Sequence, residues 1–127
     1  MKITCGTDII EIDRVKESIE ELGEKFIKRV FTDKEIEYCE SRKGQKYQHY
    51  AGRFAAKEAA FKAISKILDN KYSVCWKDFE IIDDEQGRPY LNLYNVNTKD
   101  IESIDISISH CKLYATANVV ILFNDYN

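Results

Sequence analysis

A short alanine-rich segment in the middle of the chain carries two side chains whose spacing suits chemistry. Glu58 and Lys62 stand four positions apart, so a helix would place both on one face. A pair of this kind is most often an exposed ion pair that contributes about 0.3–0.5 kcal/mol. Here, however, alanines surround Glu58 and predict close packing, and a closely packed carboxylate is costly unless it meets a cation or a metal.

A second carboxylate interrupts an apolar alternation near the start of the chain. Asp8 follows Gly6 inside a predicted strand, where aspartate is uncommon and where glycine permits close approach of another segment. One interpretation is an edge-strand aspartate that faces water. The other combines Asp8 with Glu58 in a site for a hard cation, since Mg²⁺ usually takes one or two protein carboxylates.

Two later segments are less informative on their own. Gly87-Arg88-Pro89 is typical of a turn between strands. Ser109 and His110 end an alternating strand, where neighbouring side chains point to opposite faces, so these two residues do not form a nucleophilic Ser–His pair. A histidine that donates to a phosphate remains open for His110, whereas His49 lies in a polar run and is interpreted as a surface residue.

The elements that must position these residues follow from periodicity and from helix-start signals. A strand is predicted over Ile3–Ile12, and the period changes from helical to alternating after Tyr72. The predicted helices are Arg14–Leu22 with Asp13 as N-cap and Gly23 as its stop, a short helix from a Thr32–Glu35 capping box to near Gly44, and a long helix over Tyr47–Leu68.

The last third of the chain predicts antiparallel strands. The expected segments are a strand around Phe79–Ile81, a turn over Asp83–Pro89, a strand over Tyr90–Tyr94, one helical turn about Asn97–Ser103, and strands over Ile104–Ser109 and Tyr114–Phe123. Helices followed by such strands predict an α+β fold in which an antiparallel sheet packs against a long helix. A length of 127 residues suits a single domain over residues 1–127.

Composition excludes several classes of protein. Apolar residues make up 44% of the chain and charged residues 32%, which is typical of a globular protein and not of a disordered one. The net charge of −3 argues against an overall basic surface for nucleic acid. Apolar runs fall far short of the ~20 residues that cross a bilayer, and no cleavable signal opens the chain, so we expect a cytoplasmic protein with no membrane segment.

The cysteine pattern argues against a zinc site. Cys5, Cys39, Cys75 and Cys111 are widely spread, and the sequence contains no C-x-x-C pair. We therefore expect four free thiols that act as small buried hydrophobic side chains.

Taken together and in order, four segments resemble a known family. Gly6–Asp8, Arg53–Ala63, Gly87–Pro89 and Ser107–His110 resemble the corresponding motifs of the holo-acyl-carrier-protein synthases, the short bacterial-type members of the 4′-phosphopantetheinyl transferase superfamily. The resemblance extends from about Ile3 to Ile121. The Arg53–Ala63 segment is the most specific part, because most of its positions are not explained by helix formation alone.

The resemblance implies an enzyme that moves 4′-phosphopantetheine from coenzyme A to a serine hydroxyl of an apo-acyl carrier protein in fatty acid biosynthesis, releasing 3′,5′-ADP. It places the metal carboxylates, for Mg²⁺, at Asp8 and Glu58, and a catalytic lysine beside the pyrophosphate at Lys62. The coenzyme pocket falls on the positions of Arg53, Gly87, Arg88, Pro89, Ser109 and His110. Members are homotrimers with active sites between subunits, which suits a domain too small to offer much concave surface.

Carrier proteins are acidic, and the family meets them with a basic first helix. This chain offers the basic residues Arg14, Lys16, Lys25, Lys28 and Arg29, but the same region contains Glu17, Glu20, Glu21 and Glu24. Either the basic side chains are segregated onto one face, or this protein depends less on charge steering than its relatives do.

Two other functions remain as alternatives. Broader-specificity phosphopantetheinyl transferases resemble a doubled version of this domain, so the length of the chain argues against that class. A non-catalytic interaction domain would be expected to have lost Asp8, Glu58 or Lys62, and all three are present.

Overall fold

The computed structural model describes residues 2–124 and confirms the α+β architecture. The helices are α1 (Ile12–Leu22), α2 (Glu24–Val30), α3 (Asp33–Ser41) and α4 (Lys46–Ile64). The strands are β1 (Lys2–Glu11), β2 (Phe79–Asp83), β3 (Pro89–Leu93), β4 (Ile101–His110) and β5 (Tyr114–Phe123). Short 3₁₀ turns lie at Lys43–Gln45, Ser65–Ile67 and Trp76–Asp78.

The five strands form two antiparallel sheets. A three-stranded sheet has the order β1-β5-β4, and β2 pairs with β3 in a separate hairpin. In the larger sheet β5 is central, with Asp8 opposite Ala117 on one side and Ile108 opposite the same Ala117 on the other. Strands β1 and β4 are therefore the two opposite edges of that sheet.

Helix α4 lies directly against β1, and Gly6 is the point of closest approach. A Cβ atom at Gly6 would lie 1.9 Å from the carbonyl oxygen of Ala59, which no real side chain tolerates. Thr4 reinforces the contact, because its hydroxyl donates to the carbonyl of Ala63 at 2.7 Å. Since side chains two positions apart on a strand share a face, Asp8 also points toward α4.

The core lies between α4 and the sheet. Small alanines of α4 contact the inward side chains of β5, which allows the close packing that the sequence predicts. The buried residues of this cluster include Ala56, Ala59, Ala60, Ala63, Ile64, Ala117, Val119 and Ile121. A second cluster under α1, α2 and α3 contains Val15, Phe31, Cys39 and Tyr50.

The face of the three-stranded sheet that points away from α4 is partly apolar and exposed. Ile3 and Ile9 on β1 are each 67% exposed, and Val120 on β5 is 44% exposed. Three large aliphatic side chains on one sheet face form an apolar surface of the kind that proteins usually bury in an interface.

Three predicted element details are wrong. Helix α1 begins at Ile12 with Glu11 in the N-cap position, and Asp13 lies in its first turn instead of capping it. Helix α2 was not predicted, because seven residues give too little periodicity to distinguish a helix from a loop. No helical turn forms over residues 97–103; β4 begins at Ile101, where pairing with β5 outweighs the weak local preference.

Other predicted features are confirmed. Gly23 ends α1 with a φ of 58°, and the Thr32 hydroxyl and the Glu35 carboxylate form the reciprocal capping box of α3. The long helix ends at Ile64 and continues as a 3₁₀ turn to Ile67. No helix within residues 2–124 is long and apolar enough to cross a membrane.

The four cysteines are free, as predicted, but only one of them is buried. Burial raises the pKa of the Cys39 thiol to about 12. Cys5, Cys75 and Cys111 are exposed, so the prediction that all four act as buried hydrophobic side chains is wrong. Cys5 lies on the exposed face of β1, which a strand alternation of apolar residues does not reveal.

Candidate active site

Helix α4 and strand β1 bring Asp8, Glu58 and Lys62 together. The Lys62 ammonium lies 3.3 Å from Asp8 Oδ1 and donates to the Thr7 carbonyl at 2.9 Å. The Asp8 side chain is only 19% exposed, so it does not simply face water. Lys62 thus pairs with the strand carboxylate, and within residues 2–124 no hydrogen bond or ion pair joins it to Glu58 along the helix.

Glu58 carries the electrostatic signature of a crowded acidic site. Burial raises the pKa of the Glu58 carboxyl above its usual value, the nearby Asp8 carboxylate raises it further, and the Lys62 ammonium opposes both effects. Two carboxylates that repel each other in a partly buried site favour the binding of a cation. The geometry therefore supports the prediction that Asp8 and Glu58 act at one site.

The donor set fits a magnesium ion better than a metal held entirely by protein. Residues 2–124 contain no cluster of three or more histidine, cysteine or acidic side chains that could hold a metal ion. Asp8 and Glu58 supply hard carboxylate oxygens, and Mg²⁺ commonly binds through one or two carboxylates while substrate phosphates and water complete its coordination.

A cavity of about 500 Å³ adjoins Glu58. Its walls are largely aromatic and aliphatic, and two cationic side chains, Arg29 and Lys71, also line it. The apolar lining residues are Phe61, Val74, Trp76 and Phe79. Sequence reasoning did not find this cavity, because Arg29, Lys71 and Trp76 come from segments whose approach to Glu58 depends on tertiary packing.

Arg53, on α4, belongs to a second group of residues. Its side chain is buried, with 4% exposure, and its Nη2 lies 3.6 Å from Asp83 Oδ1. The guanidinium carbon lies 4.0 Å from the ring centroid of Tyr38, at cation–π distance. Within the described residues nothing accepts a hydrogen bond from the buried Arg53 Nε.

The Gly87-Arg88-Pro89 segment forms the predicted turn between β2 and β3. Gly87 has a φ of 79°, which favours glycine, and the Asp84 carboxylate accepts from the Arg88 backbone N–H at 2.9 Å. That backbone hydrogen bond lowers the pKa of the Asp84 carboxyl. Pro89 of β3 lies opposite Asp83 of β2, and Asp83 forms the ion pair with Arg53. The turn is therefore connected to Arg53 through Asp83.

His110 and His49 complete the second group. The exposed His110 ring lies 6.2 Å from the ring of His49, and His49 lies 5.3 Å from Tyr38. His49 is half-buried on α4, which corrects the interpretation of a surface residue. Burial lowers the pKa of His49, and the Arg53 guanidinium lowers it further. We call Arg53, Tyr38, Asp83, His49 and His110 the Arg53 cluster.

The Arg53 cluster and the acidic site each include one residue from an opposite edge strand of the sheet. Asp8 is on the edge strand β1, whereas Ser109 and His110 end the other edge strand, β4. No hydrogen bond or ion pair within residues 2–124 joins Asp8, Glu58 or Lys62 to the Arg53 cluster. One chain therefore holds the predicted site residues as two separate groups.

Charges along the first two helices are mixed. Arg14 lines a groove of about 440 Å³ together with Glu17 and Glu21, and Lys28 forms an ion pair with Glu24 at 3.7 Å. The alternative in which basic side chains are segregated onto one face therefore does not hold around Arg14.

The chain matches the sequence model of one family over residues 4–121, the 4′-phosphopantetheinyl transferase superfamily. It is 46% identical over 130 residues to the holo-[acyl-carrier-protein] synthase of Ruminiclostridium cellulolyticum, covering 98% of this chain and 96% of that protein. It is 43% identical over 122 residues to the same enzyme of Protochlamydia amoebophila, covering 94% of this chain and 98% of that protein.

Solved structures agree with the sequence matches. A Chronobacterium ammoniagenes ACPS–CoA complex superposes with a TM-score of 0.80 and 28% identity, covering 98% of this chain and all of that chain (100%). A Bacillus anthracis holo-(acyl-carrier-protein) synthase in complex with CoA (3′,5′-ADP) gives a TM-score of 0.75 and 32% identity, over 96% of each chain. This chain therefore belongs to the 4′-phosphopantetheinyl transferase superfamily, as an enzyme of the holo-[acyl-carrier-protein] synthase type.

Proposed function

We propose that this protein transfers 4′-phosphopantetheine from coenzyme A to a serine hydroxyl of an apo-acyl carrier protein, with Mg²⁺ as cofactor, and releases 3′,5′-ADP. The observation that carries the proposal is the convergence of Asp8, Glu58 and Lys62 at the contact between β1 and α4. The names of the relatives and their complexes with coenzyme A support the choice of donor and acceptor. We place the reaction in fatty acid biosynthesis and in the cytoplasm, with residues 1–127 acting as one domain.

The chemistry requires positioning and charge stabilisation more than covalent catalysis. Asp8 and Glu58 would hold Mg²⁺, which supplies positive charge to the pyrophosphate when it is bound. Glu58 would also accept the proton of the carrier serine, directly or through a water molecule.

Lys62 would stabilise the charge that develops on the leaving phosphate. Its side chain is 52% exposed and contacts the Asp8 carboxylate and the Thr7 carbonyl. Because it is exposed, it can leave these contacts and turn toward an anionic substrate. In the absence of substrate the same ammonium neutralises Asp8. The same ammonium would therefore neutralise Asp8 before substrate binds and the leaving phosphate during transfer.

The Arg53 cluster would bind the coenzyme together with Gly87, Arg88, Pro89 and Ser109. The exposed His110 would donate to phosphate oxygens, and the buried Arg53 guanidinium would add positive charge to the cluster. Arg88 is exposed at the turn and forms an ion pair with Asp84 at 3.7 Å.

We further propose a homotrimer in which each active site lies between two subunits. Asp8 and His110 lie on opposite edge strands of one sheet, and no hydrogen bond or ion pair within residues 2–124 joins their groups, so a neighbouring subunit could complete each site. The exposed Ile3, Ile9 and Val120 offer an apolar face on the same sheet for such an interface.

Intact-mass spectrometry of an apo-acyl carrier protein tests the transfer directly. After incubation with this protein, coenzyme A and Mg²⁺, we expect a mass gain of one phosphopantetheine, and no gain when EDTA is present. The Glu58→Gln variant should remain folded and lose most of the transfer. Folded wild-type protein that modifies none of several carriers would contradict the proposal, and binding of coenzyme A without transfer would favour the non-catalytic interaction domain.

A further inference from the structure

Lys57, the residue directly before Glu58, forms a fully buried ion pair that the proposed chemistry does not use. Its ammonium lies 2.7 Å from Glu35 Oε1, and both side chains have 0% exposure. Glu35 comes from the first turn of α3, so the pair joins two helices inside the protein. Sequence reasoning assigned Glu35 only to a capping box and assigned no role to Lys57.

The remaining hydrogen bonds of the two side chains within residues 2–124 are all with the backbone. The Lys57 ammonium also donates to the carbonyl oxygens of Phe79 and of Trp76, the latter at 3.2 Å. Glu35 accepts from the backbone N–H of Thr32 and from that of Ile81, each at 2.9 Å. The pair therefore fixes β2 and the turn before it against α3 and α4.

Those backbone contacts fix one wall of the cavity beside Glu58. The side chains of Trp76 and Phe79 line that cavity, and their carbonyl oxygens are the ones that Lys57 holds. Two consecutive residues of α4 therefore act on the same cavity. Lys57 holds the wall formed by Trp76 and Phe79, and Glu58 also lines the cavity.

Stability alone does not explain why the pair is ionic. Replacing a buried ion pair by apolar side chains of similar volume is often neutral or stabilising, because both charges lose their hydration when buried. What apolar side chains cannot do is hold two backbone carbonyls and two backbone amides in fixed directions. The ionic pair is therefore better suited to fixing geometry than to adding stability.

The cavity suits a slender amphipathic chain. Aromatic and aliphatic walls with about 500 Å³ of space exclude a folded carrier protein, whereas the pantetheine arm is attached directly to the phosphate that is transferred. We propose that the Lys57–Glu35 pair is a positioning device that holds the Trp76–Phe79 wall against the pantetheine arm of coenzyme A. This inference rests on the proposed function, because it assumes coenzyme A as the donor.

The test compares two ligands that differ by the 4′-phosphopantetheine group, which contains the pantetheine arm. Calorimetry would measure the Kd of coenzyme A and of 3′,5′-ADP for wild-type protein and for the double variant Glu35→Leu/Lys57→Met, which leaves no lone buried charge. We expect the Kd of coenzyme A to rise about tenfold and that of 3′,5′-ADP to change less than about twofold. Trp76→Ala, which removes the wall itself, should give the same pattern, and the exposed Lys99→Met should leave both Kd values unchanged.

Other outcomes overturn the inference. Equal weakening of both ligands would indicate a general structural role, and unchanged binding of coenzyme A would remove the positioning role. If that double variant does not fold, Glu35→Gln/Lys57→Met decides, because it keeps an oxygen acceptor for the two amides and leaves no lone buried charge; it should show a smaller loss, again restricted to coenzyme A. If wild-type protein binds neither coenzyme A nor 3′,5′-ADP, that result contradicts the proposed function itself and not only this inference.

Discussion

Lys62 on α4 holds Asp8 on β1, with 3.3 Å between Nζ and Oδ1, across two elements that are 54 residues apart in sequence. The contact is half-exposed on the lysine side, so its contribution to stability is small, about 0–1 kcal/mol. We therefore expect the contact to matter for the chemistry of the site and not for the stability of the fold. The ammonium neutralises one of two carboxylates that would otherwise share a site with no other cation bonded to them among residues 2–124.

Lys62→Met should separate metal binding from transfer. Without the ammonium, Asp8 is left for a metal alone, so we expect Mg²⁺ to raise the Tm at lower concentration than in wild-type protein. We also expect turnover to fall by about 10²-fold, because a group that stabilises developing charge is lost. The exposed Lys66→Met, on the next turn, is the matched control and should change neither property. Unchanged turnover in Lys62→Met would contradict the role of the lysine.

Glu58 should make stability depend on pH in a direction opposite to that of a salt-bridged carboxylate. Burial and Asp8 raise its folded-state pKa above the unfolded value of 4.5, so the folded state binds the proton more tightly. Stability from this group is present below pH 4.5 and is lost as pH rises through the folded pKa. Ionised Glu58 therefore destabilises the metal-free protein at neutral pH.

We expect Glu58→Gln to raise the Tm in EDTA at pH 7 and to lose that advantage as the pH falls toward 4.5. Thermal unfolding of both proteins across this range measures the difference. Added Mg²⁺ should stabilise wild-type protein but not the variant, because only the carboxylate attracts the cation. A variant that is less stable than wild-type protein in EDTA at neutral pH would show that the carboxylate is held by favourable contacts instead.

Gly6 sets the distance between β1 and α4, and hence the position of Asp8. We expect Gly6→Ala to destabilise the protein by about 3 kcal/mol or more, since the added carbon would overlap the Ala59 backbone, which is unable to move aside as a side chain can. Gly44→Ala, where no atom lies within 4 Å of the added carbon, should leave stability nearly unchanged. Urea denaturation of both variants measures the difference, and similar midpoints would contradict the close approach.

The acidic site could be predicted from sequence because its signals are local. Asp8 breaks a strand alternation after Gly6, and Glu58 lies among alanines, so each residue is conspicuous within its own segment. The capping box at Thr32 and Glu35 is equally local, and the structure confirms it. Such features depend on neighbours within about one helical turn, which a sequence shows directly.

The other contacts depend on tertiary packing. Glu35 was assigned correctly as a capping residue, yet its second task, with Lys57, joins positions 22 residues apart and leaves no periodic signal. Likewise, nothing near Tyr38 indicates that its ring lies on Arg53 or that His49 lies beside it. Side chains from α3, α4 and β2 meet only because the helices cross the sheet in one particular way.

Asp8 and His110 offer a test of the proposed site between subunits, since they lie on opposite edge strands of one sheet. Asp8→Asn removes a metal carboxylate, and His110→Ala removes a proposed coenzyme contact, so each variant alone should be nearly inactive. In a trimer assembled at random from the two variants, a site between neighbouring subunits is active when one subunit supplies an intact Asp8 and the other supplies an intact His110.

Co-expression of the two variants should therefore restore transfer to about one quarter of the wild-type level, because each of the two choices has an even chance. If one subunit instead contained the whole site, every site would carry one of the two substitutions, and the mixture would show only the average activity of its parents. Mixing Asp8→Asn with Glu58→Gln is the control, because both residues belong to the same group, and no site could recover both. Restoration in the first mixture and not in the second would assign the two groups to different subunits of the same active site.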